Sequence, residues 1–174
     1  MNPAKQFKKV VRTVYTRTLV SKSVSLEMKY IGTNIRNVLE EKVRGMYEGK
    51  CCLEGFVKSG SINVINYSSG IIKGSTVIFE VVFECQTAFP VEGQLIHCIA
   101  KNITKAGIRG ESVSESPSPF VVFVARDHQV ENPLFTEIKE GNDFMAKVIG
   151  QRFELNDAYI SIIAELVNKT KYKD

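Results

Sequence analysis

Tryptophan is absent from this 174-residue chain, and histidine is limited to His97 and His128. No Gly-x-x-x-x-Gly-Lys-Ser/Thr, His-Glu-x-x-His, Gly-x-Ser-x-Gly or Gly-x-Gly-x-x-Gly stretch occurs. The nearest approach to a phosphate loop is Gly70–Ile71–Ile72–Lys73–Gly74–Ser75–Thr76. Its lysine precedes the second glycine, so amide cradle and lysine are out of order. Asp127 and His128 are neighbours in sequence, and on an extended chain their side chains point apart. No pair of carboxylates sits in an apolar setting that would tune one of them for acid–base work. Together these absences exclude the familiar single-chain enzyme designs, and no cofactor is expected.

No apolar run approaches the roughly 20 residues of a membrane-spanning helix, so no membrane partner is expected. The basic start (Lys5, Lys8, Lys9, Arg12, Arg17) is not followed by an apolar segment and does not read as a secretory signal. The sequons at Asn66, Asn102 and Asn168 are then chance matches. Four cysteines form no Cys-x-x-Cys pair. Adjacent Cys51 and Cys52 do not match a zinc knuckle, and a site from Cys85, His97 and Cys98 would lack a ligand. Free thiols in a reducing compartment are the expectation. An enzyme using Cys51 or Cys52 as nucleophile has no other feature in its favour. Lys plus Arg is 23 against 19 acids, a net +4 that permits nucleic-acid contact without establishing it.

Hydrophobic patterning is plentiful. Val10 to Val20 is β-rich, and Val24, Leu26 and Met28 alternate with polar residues, which predicts strand. Gly32 breaks the pattern and Thr33 is a candidate N-cap. Ile35, Val38, Leu39, Val43 and Met46 then recur at helical spacing, with Arg36, Asn37, Glu40 and Glu41 on the other face. Gly49 stands where a helix-terminating glycine is expected. Strand pieces follow at Phe56–Val57 and Ile62–Ile65, with turns at Tyr67–Gly70 and Lys73–Ser75. Val77–Phe83 is nearly continuously apolar, as for a strand buried on both faces.

Pro90 and Gly93 mark a boundary. Beyond it lie five strand candidates and no convincing helix: residues 94–105, 108–113, 120–126, 144–155 and 158–167. Ile160, Ile163, Ala164 and Val167 also fit helical spacing, but the Asn156–Asp157 turn and the β-branched content favour a strand. Five short antiparallel strands with a long connection after the third predict an OB-type barrel. The expected fold class is α+β: an α/β unit over residues 1–89, then a five-stranded barrel over 90–174.

Lys101, Lys105 and Arg109 surround the first barrel turn, Arg126 and His128 end the third strand, and Lys147 and Arg152 lie on the fourth. These seven are candidate RNA-binding residues; they read equally well as scattered solvent-facing charges. Of Phe120, Phe123, Phe144 and Phe153, most read as core, since they lie inside apolar alternation.

In order, the helix, Glu48–Gly49–Lys50–Cys51, Gly55–Phe56–Val57, Gly70–Ile71–Ile72, Phe79–Glu80–Val81, Pro90–Val91–Glu92–Gly93 and the barrel resemble the stalk subunit of multisubunit DNA-directed RNA polymerases. That family comprises the seventh-largest subunit of polymerase II and its archaeal counterpart. The likeness runs from about Thr18 onward. It implies an RNP-like tip domain followed by an OB domain of the type named after ribosomal protein S-one. It implies a non-catalytic role: docking on the polymerase core near the clamp, pairing with a smaller helical stalk subunit, and presenting the barrel to nascent RNA or initiation factors. Carried over, Gly55, Phe56, Val57, Lys58 and Gly70, Ile71, Ile72, Lys73, Gly74 would contact the core. Ala106 and Arg109 stand where such barrels usually carry aromatics, so stacking should be weaker and RNA binding salt-sensitive. The Tyr67–Gly70 and Ile103–Arg109 stretches look more like versions from large nucleocytoplasmic DNA viruses. The implied location is the nucleus or cytoplasm or, for a viral version, the viral factory and virion. The alternative is a free-standing OB-fold RNA-binding protein of translation or RNA decay.

Overall fold

The computed structural model describes residues 13–128 and 133–167, so Lys5, Lys8, Lys9, Arg12 and the sequon at Asn168 lie outside the described residues. Strand β1 (Thr16–Glu27) leads through a single 3-10 turn to helix α1 (Ile35–Tyr47). Strands β2 (Cys51–Cys52), β3 (Gly55–Val57), β4 (Asn63–Tyr67), β5 (Ile71–Lys73) and β6 (Thr76–Ala88) follow. Strand β6 pairs with β1 along all but its last residue, from Thr16 opposite Thr87 to Glu27 opposite Thr76. Its other edge is shared in succession by β5, β4 and β3, and β2 continues outward from β3.

Helix α1 lies on one face of this sheet and buries Leu39 and Val43. They pack with Val20, Val24, Val57, Val64, Val81 and Phe83 in one core. Strand β6 is therefore buried on one face only. Val77, Phe79, Val81, Phe83 and Cys85 point inward, while Ile78, Val82 and Glu84 are only partly buried and Glu80 is exposed. The continuous apolar run reads as two-sided burial, but among the described residues no second layer covers the outer face. The helix also begins one residue later than expected: Asn34, not Thr33, occupies the cap position, and it makes no side-chain capping bond.

Arg36, Glu40, Arg44 and Glu48 recur every four residues and form one column on the helix. Arg36 and Arg44 are exposed, as the sequence pattern suggested for Arg36, and Glu40 and Glu48 are partly buried, yet all four reach the backbone of residues 62–64 or one another. Arg36 donates to the Val64 carbonyl, and Arg44 donates to the Ile62 carbonyl at 3.2 Å. The Val64 and Ile62 amides donate to Glu40 and Glu48, each at 3.3 Å. Arg44 also pairs with both glutamates. The column thus satisfies the β4 backbone groups that face away from β6, where an open edge would invite pairing.

After Pro90 the chain forms β7 (Leu95–Ile103), β8 (Gly107–Ser112), β9 (Phe120–Ala125), the short helix α2 (Leu134–Glu137), β10 (Asp143–Arg152) and β11 (Ile160–Val167). These strands close into a barrel in the order β10-β11-β9-β8-β7. This is consistent with an OB-type domain. Two expectations need correction. The pairing is not wholly antiparallel, because β11 runs parallel to β9. The β9–β10 connection also holds α2, too short to leave a helical period in the sequence. The last segment is strand, with Ile160, Ile162, Ala164 and Leu166 turned into the barrel. Among the described residues, no helix is long and apolar enough to cross a membrane.

The sheet and barrel meet along a packed seam. Tyr15, Cys51, Phe56 and Ala88 belong to the same buried cluster as the barrel interior. The Cys51 amide donates to the Asp157 carbonyl at 2.8 Å, and the Asn156 amide donates to the Cys51 carbonyl at 2.9 Å. The Phe89 and Phe153 rings meet edge-on at 6.0 Å. Lys58 pairs with Glu115 at 3.3 Å and lies over the Tyr15 ring.

All four cysteines are buried as free thiols. Burial pushes Cys51 and Cys98 up to about 12, with Asp157 adding to the effect at Cys51. Burial, helped by Glu54, likewise raises Cys52 to about 11, and Cys85 reaches about 11. Thiols held in the protonated form are poor nucleophiles.

At pH 8 the native protein is expected to resist iodoacetamide at all four cysteines and to react fully in denaturant; fast labelling of any native cysteine would contradict this burial. Because the folded values lie above the ordinary 9.0, the thiols' contribution to stability is complete below pH 9. It falls as pH climbs toward 11. Arg44→Ala should lower the urea midpoint by about 1 kcal/mol equivalent with an unchanged m-value. Glu41→Ala, on the exposed side of the helix, should stay within about 0.5 kcal/mol. Equal losses in the two variants would mean that the arginine column does not seal β4.

Candidate functional site

The sequence-predicted residues are divided among the β5–β6 hairpin, strand β3 and the barrel. The β5–β6 hairpin turns at Gly74, whose positive φ of 63° suits glycine. Gly70 precedes it where the backbone runs hard against the sheet: a Cβ there would lie 2.4 Å from the Val77 side chain. Ile71 and Ile72 follow, each 69% exposed. The Met28 amide donates to the Ser75 carbonyl, which brings the β1 end alongside. Met28, Tyr30 and Ile31 are exposed there too. Five large apolar side chains therefore collect at one end of the sheet, with Lys73 among them. Sequence reading missed Met28, Tyr30 and Ile31. Met28 continues the β1 alternation and reads as core until the chain leaves the sheet.

Gly55, Phe56 and Val57 are not at that end. They form β3, which pairs with the far end of β6, and all three are buried. The residues they face there, Ala88 and Thr87, are eleven or twelve positions along β6 from Thr76. At about 3.3 Å per residue the separation is about 40 Å. Phe56 packs into the barrel-side core, and Lys58 pairs with Glu115 across the seam. The structure therefore does not bring Gly55–Lys58 together with Gly70–Gly74. Around the seam itself, Leu53, Leu155 and Tyr159 stand exposed.

The basic barrel residues also divide. The β7–β8 turn carries Lys105, and Arg109 follows on β8. The Arg126 amide donates to the Ala106 carbonyl, placing the end of β9 against the same turn. The Arg126 guanidinium lies 5.3 Å from the Phe135 ring centroid. His128 closes the 3-10 turn that begins at Arg126, and its side chain lies outside the described residues. Lys105, Arg109 and Arg126 thus gather at one place. Lys101 lies beside them on β7 but pairs with Glu111 at 3.7 Å. Lys147 and Arg152 are on β10, away from the β8–β9 face. They pair with Glu165 at 3.1 Å and Glu154 at 3.4 Å. Among the described residues, Lys105 and Arg109 have no ion-pair partner.

The aromatic residues separate just as clearly. Phe120 and Phe144 are core, and Phe153 packs on Phe89. Phe123 alone of the four projects outward, 37% exposed. It lies directly opposite Arg109 on β8 and Ile163 on β11. Its ring leans over Gly107: a Cβ there would come within 3.0 Å of the Phe123 ring and 2.2 Å of the Val124 carbonyl oxygen. Sequence reading could not single it out, because Phe120–Ala125 is apolar on both faces and hides its own alternation.

Elsewhere the chemistry is sparse. The possible zinc ligands are spread over two sheets: Cys85 is in the α1-side core, Cys98 faces the barrel interior, and His97 pairs with Asp143 at 3.2 Å. Among the described residues, no three His, Cys, Asp or Glu side chains gather as a metal site requires.

No family model matches the chain. It is similar to DNA-directed RNA polymerase II subunit RPB7 of Glycine max, at 23% identity over 163 residues, covering 84% of this chain and 89% of that protein. This similarity supports the polymerase stalk-subunit family, and it spans the sheet and the barrel together.

Proposed function

We propose that this protein is a non-catalytic stalk subunit of a DNA-directed RNA polymerase. The observation that carries the reading is the co-linear likeness to a polymerase II subunit across sheet and barrel alike. In this reading residues 1–89 form an RNP-like tip domain and residues 90–174 an OB domain, joined by the seam around Cys51 and Phe56. The tip plugs into the polymerase core through Gly70–Gly74 and the apolar side chains beside them. Exposed isoleucines at a hairpin end are costly in water and gain by burial in a partner. Gly55–Val57 instead hold the two domains together, and Lys58 does so through Glu115. Leu53, Leu155 and Tyr159 offer a second apolar surface, suited to a smaller helical stalk subunit. The barrel presents Lys105, Arg109 and Arg126 to nascent RNA, where cations position phosphates. The distinctive wording of Tyr67–Gly70 and Ile103–Arg109 fits a version from a large nucleocytoplasmic DNA virus. A free-standing RNA-binding protein would have no use for the exposed tip.

The Ile71→Glu, Ile72→Glu double variant should keep its thermal stability, since both side chains lie in water, and should no longer co-purify with polymerase core subunits from the native source. Undiminished co-purification would refute the tip assignment. For the barrel, Lys105→Ala with Arg109→Ala should weaken binding of an unstructured RNA. The slope of log affinity against log salt should fall by about 1.4, roughly 0.7 for each phosphate no longer neutralised. An unchanged slope would remove both residues from the RNA face.

A further inference from the structure

The β8–β9 connection carries the only two Ser-Pro dipeptides of the chain, Ser116–Pro117 and Ser118–Pro119. The loop belongs to the barrel, but it is tied to the sheet. Glu115 accepts hydrogen bonds from the Thr13 hydroxyl at 3.1 Å and from Lys58 at 3.3 Å. The Lys58 ammonium in turn lies 4.8 Å from the Tyr15 ring centroid. The serines around the loop are used very differently. The Ser118 hydroxyl donates to the Phe120 carbonyl at 2.8 Å and accepts from the Ser112 and Phe120 amides at 3.0 and 3.2 Å. Pro119 after it is buried. Ser112 is buried as well, and its hydroxyl bonds that of Ser114 at 2.9 Å. Ser116 and Pro117 stand exposed, and among the described residues the Ser116 hydroxyl has no hydrogen-bond partner. Of these four serines, Ser116 alone is open to a reagent as large as an enzyme. The proline after it offers an apolar ring and no N–H, which suits a kinase pocket that cannot satisfy a backbone donor at that position.

We propose that Ser116 is a phosphorylation site for a proline-directed serine kinase, and that its phosphate competes with Glu115 for Lys58 at the seam between barrel and sheet. In the transfer the Ser116 oxygen bonds to the γ-phosphorus of ATP, the bond from that phosphorus to ADP breaks, and the hydroxyl proton is released. Nothing is oxidised or reduced. The product carries a charge of roughly −1.5 to −2 near neutral pH. The charged groups facing it are Glu115 on its own loop and Lys58 after β3. The phosphate repels the carboxylate beside it and attracts the ammonium more strongly than one carboxylate does. A contact that ties the two units together thereby comes under the control of a single modification. The proposal needs only the loop and the seam, and it stands or falls apart from the polymerase reading.

The test incubates the folded full chain with a cyclin-dependent kinase as probe and ATP labelled in its γ-phosphate. About one phosphate per chain is expected, in keeping with one free hydroxyl. Phosphopeptide mass spectrometry should place it on Ser116, and Ser116→Ala should take up none. Label confined to Ser118, or an unlabelled native chain beside a labelled peptide of residues 110–122, would show that the fold does not present Ser116 and would overturn the site. Failure of chain and peptide alike would overturn it too. The phosphorylated chain is then titrated by phosphorus NMR. The second ionisation of phosphoserine lies near pH 6. Lys58→Met should raise that midpoint by about 0.5, the scale of one unit charge a few ångströms away in a wet site. Glu115→Gln should lower it by a similar amount, reading the same contact from its other side. Lys73→Met, at the far end of the sheet, should leave it unchanged. A midpoint that ignores both Lys58→Met and Glu115→Gln would refute the competition for Lys58.

Discussion

One long strand organises the molecule. Twelve of the thirteen residues of β6 pair with β1 along one edge, and the strand pairs with β5, β4 and β3 in turn along the other. Short strands of two, three or five residues cannot hold a sheet by themselves. Each is stable here because β6 supplies a continuous template with one apolar face. The same strand sets the distance between the two ends of the unit. Its start carries the exposed hairpin, and its last residue, Ala88, is already buried in the barrel-side core.

The seam follows from that arrangement. Strand β2 forms only two pairs with β3, and the Cys51 backbone turns its free groups to the Asn156–Asp157 turn of the barrel. The turn is suited to this, since Asn156 takes a positive φ of 72°, a conformation asparagine tolerates. Apolar contacts of Tyr15, Phe56 and Ala88 fill in behind the two hydrogen bonds. Orientation between sheet and barrel is therefore fixed by backbone pairing and packing together, not by a bare linker at Pro90. A contact made at the Ile71–Ile72 end would carry the barrel with it.

On the barrel, charge is distributed by pairing. Lys101 and Lys147 are matched by carboxylates on adjacent strands and Arg152 by Glu154 just past the end of β10, which lowers their capacity to attract a polyanion. The β7–β8 turn and the β8 strand after it have no such matching at Lys105 and Arg109. A modest excess of +4 over the whole chain thereby becomes a local basic spot beside one exposed ring. Net charge alone could not reveal this, because it counts paired and unpaired cations alike.

Much was legible in the residues themselves. Period-two alternation gives β1 and the barrel strands, helical spacing gives α1 through Leu39 and Val43, and Gly49, with a positive φ of 69°, marks where the helix stops. The order of weak motifs led to the stalk-subunit resemblance. These are local properties, written in side-chain polarity and backbone preference within a few residues. What tertiary structure decided was everything that depends on two distant segments meeting. It put Gly55–Val57 in the interior and Gly70–Gly74 at a free end, though both are glycine-led apolar strings in the sequence. It gave Arg36 and Glu40, on the helix's polar side, the Val64 backbone as a partner, made β11 run parallel to β9, and chose Phe123 from four phenylalanines to face outward. None of these is encoded in a neighbourhood of a few residues. Each is settled by register and by which face of a strand or helix a second element covers.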